Sequence, residues 1–232
     1  MKKCNIVSAS EANSLFWLGR YVERGYISLH LLRRYYDNMI DDHTDAYEEY
    51  YKKLDGYNPY TDAQSFRIGC LYDRNNPCSI ITALLQANDN GILVRKEIST
   101  ETLSYVQLSL AHIKAAEQNQ ETNITQLQLI TDYLLAFWGS IDERVFDENI
   151  RNFLRIGRLI ENIDMHIRFE YAFYRVREAF DSLLLRVEKN GAIFDHIVLA
   201  QLNQLLTEEA FDLSNIEYKQ KLIKYMNSLV LV

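Results

Sequence analysis

The sequence predicts an all-α fold, a single-domain helical bundle with an internal pseudo-two-fold repeat. Three observations carry that prediction. Two prolines and eight glycines leave little turn punctuation for an all-β chain, whereas long stretches rich in Leu, Glu, Gln, Arg and Ala favour helices. A chain of 232 residues, 48% of them hydrophobic, is long enough to bury a core of its own. Finally, one helical phrase occurs twice. A constant offset carries Gly19, Arg20 and Glu23 of Phe16-Trp17-Leu18-Gly19-Arg20-Tyr21-Val22-Glu23-Arg24 onto Gly157, Arg158 and Glu161 of Leu154-Arg155-Ile156-Gly157-Arg158-Leu159-Ile160-Glu161-Asn162. The pseudo-repeats are centred on residues 9–40 and 147–178 of one domain spanning 1–232.

Each copy reads as an amphipathic helix. Leu15, Leu18, Val22, Gly25, Leu29, Leu32 and Tyr36 alternate at spacings of three and four, and Phe153, Ile156, Ile160, Ile163 and Ile167 repeat the register. One residue further round, Phe16, Gly19, Glu23, Tyr26 and His30 form a second stripe, matched by Leu154, Gly157, Glu161, Asp164 and Arg168. Hydrophobic burial does not explain polar groups in that register. A glycine inside a helix costs about 1 kcal/mol relative to alanine, so the paired glycines predict a close approach of another helix. The arginine after each glycine can pair with the carboxylate three residues on. It can also cross to the other copy, as Arg20 with Glu161 and Arg158 with Glu23. Two readings stay open here: interhelical salt bridges that fix register, or a polar pocket between the helices.

The remaining elements follow in order. Ser8 and Glu11 form a capping box that opens the first helix, predicted from about residue 9 to near Asp37. Tyr47 to Lys53 reads as a short helix ended by Gly56 and Pro59, and Gln64 to Leu71 as another. The sixteen tyrosines are expected mostly as amphipathic cover for helix faces. Asn76 as N-cap, accepting from the Ser79 amide, and Pro77 at the first helical position start a helix to about Lys96. Arg74 beside that N-terminus makes Arg74 and Asn76 candidates for holding a carboxylate or phosphate, with plain capping as the alternative. Helices are then expected from Ser99 to about Gln118, from Asn123 to Gly139, and from about Asp147 past Arg177 towards Glu188, ended by Asn190-Gly191. Phe194 to Leu206 and Asn215 to Val230 close the chain, with Ser214 a candidate cap for the last helix.

A net charge of −7 argues against nucleic acid as a partner. Cys4, Cys70 and Cys78 are odd in number, and no signal-peptide core follows Met1-Lys2-Lys3, so reduced thiols in the cytoplasm are expected. No apolar run reaches the roughly 18 residues needed to span a bilayer, so no membrane partner is expected. None of His30, His43, His112, His166 and His196 has a Glu three residues before it, as a di-metal bundle would need. No Cys-x-x-Cys, phosphate-binding loop or Gly-x-Ser-x-Gly is present. No metal or cofactor is expected.

The two key phrases and Asp73-Arg74-Asn75-Asn76-Pro77-Cys78-Ser79-Ile80 resemble the three signature segments of the bacterial alpha-E family, and the resemblance extends to about Arg177. It implies an all-helical cytoplasmic protein, encoded near an ATP-grasp ligase and a transglutaminase-like peptidase, and so a partner of amide or peptide ligation. The chain departs from the family pattern at Gly25 and Ile163, at Asn162 in place of an arginine, at Asn88-Asp89 and at Leu103. The leading expectation is a non-catalytic binding or scaffold partner of an ATP-grasp-type ligation system. The alternative is an enzyme acting on a carboxylate- or amine-bearing small molecule or peptide. In that alternative Glu23 and Glu161 are the acid-base candidates, and the ligand-binding candidates are Arg20, Arg24, Arg74, Asn76, Arg158, Asp164 and Arg168.

Overall fold

The computed structural model describes residues 7–41, 46–54, 60–121, 123, 127–190 and 193–231. Cys4, His43, Gly56, Pro59 and Gly191 lie outside them. Among the described residues the fold is all-α, with eleven helices and no strand. The chain divides into two compact units, one of Met1–Arg20 with Asp147–Val232 and the other of Tyr21–Phe146. Helix α1, Ala9–Asp41, contributes to both. Its capping box forms as expected: the Ser8 amide donates to Glu11 Oε2 at 2.8 Å, and the Glu11 amide donates to Ser8 Oγ at 3.3 Å.

In the first unit, α8 (Glu148–Arg168) packs against α9 (Phe173–Asn190) and α11 (Ile216–Ser228), and α11 packs on α10 (His196–Leu205). The seam residues Ile156, Ile160, Ile163 and Ile167 enter one core with Phe180, Leu202, Leu222 and Met226. The single long helix expected from Asp147 towards Glu188 is two helices. Glu170 stops the first in a left-handed conformation, φ 56°, with the Tyr171 amide on His166 O and the Glu170 amide on Ile167 O. This is a Schellman stop built without glycine. Glu170 is held from outside by Lys219 Nζ at 2.7 Å. Helix α11 is capped by Asn215, which accepts from the Tyr218 amide at 3.1 Å. Ser214 instead donates to Asp212. One antiparallel bridge, Phe194 with Val230, ties the chain after α11 to the segment before α10.

The second unit holds α2 (Ala46–Lys53), α3 (Ala63–Tyr72), α4 (Ile80–Leu93), α5 (Arg95–Ile98), α6 (Thr100–Gln118) and α7 (Gln128–Arg144), with α6 packed on both α4 and α7. Most described tyrosines are half-buried, but Tyr35, Tyr50, Tyr51 and Tyr72 are core residues; Tyr50 meets Tyr35, Tyr51 and Phe66 edge to face, and Tyr51 meets Phe66 in the same way. Helix α4 starts one turn later than Asn76-Pro77 predicts. Asn76 Oδ1 accepts from the Cys78 amide and shapes a turn, while Ser79 is the cap, its hydroxyl accepting from the Thr82 amide. Helix α7 starts later than Asn123 and runs past Gly139, because Ser140 and Ile141 continue its buried face. Gln120, φ 51°, closes α6 with the same non-glycine stop that Glu170 makes.

Candidate functional site

The two repeated glycines lie at a backbone crossing within the first unit. A Cβ on Gly19 would sit 2.1 Å from Leu154 O, and one on Gly157 would sit 2.0 Å from Phe16 O. No side chain fits there, so the α1 and α8 backbones touch at residues the repeat itself relates. This contact delivers the next residue of α1, Arg20, to the polar stripe of α8.

Arg20 Nε donates to Glu161 Oε2 at 2.8 Å, and the two side chains are 5% and 0% exposed. Both terminal nitrogens of the guanidinium donate to Asn227 Oδ1, each at 3.1 Å. Asn227 Nδ2 donates to Asp164 Oδ1 at 3.1 Å and to Ile223 O at 2.9 Å. Asp164 Oδ2 accepts from Arg168 Nε at 2.7 Å. Glu161, Arg20, Asn227, Asp164 and Arg168 thus form one chain of hydrogen bonds across α8, α1 and α11. The guanidinium also lies over the rings of Trp17, at 5.1 Å, and Phe16, at 5.9 Å. Ion pairs removed from water repay their desolvation only when their hydrogen bonds are satisfied. Every nitrogen of Arg20 has an acceptor.

Four of the candidates, Arg20, Glu161, Asp164 and Arg168, are therefore gathered in this network, and Arg158 of the same unit is half-buried. Sequence reasoning missed Asn227. Its only signal is a polar side chain four residues after the buried Ile223, on an otherwise amphipathic helix.

The other candidates belong to the second unit. Glu23 is buried at 2% exposure, and Arg24 is half-buried with its guanidinium 5.7 Å from the Tyr21 ring centre. Arg74 makes a two-pronged bond to Glu117, at 2.5 and 2.6 Å, which engages the fork expected to hold an anion. Asn76 Nδ2 donates to the Tyr51 hydroxyl at 2.8 Å, and that hydroxyl meets Cys70 Sγ at 3.3 Å. Burial pushes the Cys70 thiol up to about 12. A groove of about 630 Å³ is lined by Tyr60, Ile68, Gly69, Tyr72, Asp73 and Glu117, among others. Among the described residues no cluster of His, Cys, Asp and Glu could hold a metal ion, and no helix is long and apolar enough to cross a membrane.

Residues 8–206 match the model of the Alpha-E family, described as a predicted alpha-helical domain with a conserved ER motif. The match covers most of the chain, and the chain belongs to this family. Glu-Arg occurs here as Glu23-Arg24 and Glu143-Arg144, and only the first has a buried glutamate. Helix α11, with Asn227, lies beyond the matched residues. No curated protein and no solved structure matches the chain.

Proposed function

We propose that this member of the Alpha-E family is a non-catalytic helical binding or scaffold partner of an ATP-grasp-type amide or peptide ligation system. One observation supports the non-catalytic part. The Arg20–Glu161 pair is dry, with side chains 5% and 0% exposed, and all three guanidinium nitrogens are engaged. A general acid or base needs reach to a substrate proton, and an arginine that holds a substrate carboxylate needs spare donors. Glu161, at 0% exposure, lacks the first, and Arg20 has no donor to spare while Asn227 is seated on it. The pair is suited to fixing one helix against another in a single register. The ligation partner comes from the resemblance of the three signature segments, as does a transglutaminase-like second partner.

The test is capture of the tagged, full-length protein from its own cells under native conditions. Recovery of an ATP-grasp ligase in stoichiometric amount, with the ligase active and this chain inert alone, is the expected result. Recovery of the chain without a ligase, or turnover of a carboxylate or amine substrate by the purified chain that Glu161→Gln abolishes, overturns the proposal.

A further inference from the structure

We infer that Arg20 and Asp164 form a binding site for a primary carboxamide, the side-chain group of asparagine or glutamine, and that Asn227 fills this site in cis. The geometry reads both ends of an amide. The oxygen faces two N–H groups of Arg20 at 3.1 Å, and the nitrogen faces Asp164 Oδ1 at 3.1 Å. A guanidinium only donates and a carboxylate only accepts, so this orientation is the one that satisfies both walls. A ligand carboxylate in the same place sets an anionic oxygen against Asp164. An N,N-dialkyl amide offers Asp164 no donor. The pair therefore selects the primary amide against its nearest isosteres, because the mismatched group leaves a buried partner unpaired.

The walls are held without the occupant. Arg20 is fixed through Nε by Glu161 and lies over Trp17 and Phe16, and Asp164 is fixed through its other oxygen by Arg168. Both wall residues are buried, at 4% and 3% exposure, and both lie within the residues 8–206 that match the family. The occupant differs in exposure and in position. Asn227 is exposed, sits in the last turn of α11, and lies outside the matched residues. Leu222, Ile223 and Met226 anchor α11 in the core. Exchange of the amide therefore requires a rotamer change at Asn227 that also gives up its bond to Ile223 O, with the helix left in place. A peptide or small molecule bearing an asparagine- or glutamine-type amide is the ligand class that competes. This site stands on the geometry alone and does not depend on the ligase partnership.

The experiment titrates the full-length protein and its Asn227→Ala variant with N-acetylglutamine methylamide, and with N-acetylglutamate methylamide as control. Removing an intramolecular competitor raises apparent affinity by the inverse of the fraction of sites that stand open. The glutamine probe is expected to bind Asn227→Ala at least about tenfold tighter than wild type, with no saturable binding of the glutamate probe. A folded Asn227→Ala that binds neither probe, or both alike, overturns the site. Should that variant fail to fold, the wild-type side-chain amide resonances of Asn227 decide. They shift with the glutamine probe if the site exchanges its occupant, and their indifference to it overturns the proposal.

Discussion

Gly19 and Gly157 each meet the backbone of the other's helix: the Cβ that either lacks would fall 2.1 Å from Leu154 O or 2.0 Å from Phe16 O. The oxygens belong to residues that the sequence repeat itself pairs, Phe16 with Leu154. The reciprocity is what brings Arg20 of one helix within 2.8 Å of Glu161 of the other.

Alanine at either glycine gains about 1 kcal/mol of helix propensity but drives a methyl group into a main-chain oxygen. Overpacking of that kind costs about 1–3 kcal/mol or more, so Gly19→Ala and Gly157→Ala should each lower stability. Gly139, in α7, has nothing within 4 Å of an added Cβ, so Gly139→Ala should raise stability by about 0.5–1 kcal/mol. Urea unfolding of the three variants checks this, and the difference in sign is the decisive reading.

The crossing and the pair were legible because a helix glycine and a carboxylate outside the apolar seam are both costly unless something explains them. The capping box at Ser8 and Glu11 was legible for the same kind of reason. The break between α8 and α9 was not, since Glu170 takes a left-handed conformation that sequence reasoning reserves for glycine. Asn76 misled because an asparagine before proline serves a turn as well as a helix cap, and Ser79 one turn later is the actual cap. Asn227 carries no motif at all. Its role exists only once α11 is packed against α1 and α8.

His166 predicts a pH dependence. Burial, and secondarily the nearby Arg175 charge, lower its pKa from 6.5 to about 4, and its Nδ1 is buried without a partner. The folded state thus prefers neutral imidazole. Below pH 6.5 the unfolded chain takes up the proton first, so the contribution present above that pH is lost on acidification and levels off below about 4. His166→Phe, which keeps the stack on Tyr171, should show a shallower fall of Tm across that window than wild type. An identical slope in the two proteins would count against the assignment.

Cys70 should resist chemistry in the folded protein. The residue is 3% exposed and its thiol is pushed up to about 12 by burial, so almost no thiolate exists near neutral pH. Peptide mapping after iodoacetamide treatment at pH 8 should find Cys70 unmodified under native conditions and fully carbamidomethylated in denaturant. Native labelling at the rate of a free thiol would contradict its burial.

The most direct measurement is the unfolding free energy of Glu161→Gln in denaturant, beside Glu48→Gln as control. Glu48 pairs with Lys52 across 3.9 Å at side-chain exposures of 54% and 77%, so its loss should cost no more than about 1 kcal/mol. Removing the Glu161 charge leaves the Arg20 guanidinium, 5% exposed, without its countercharge, and the expected loss is about 3–5 kcal/mol. A Glu161→Gln protein as stable as wild type, or more stable, would contradict a structural pair.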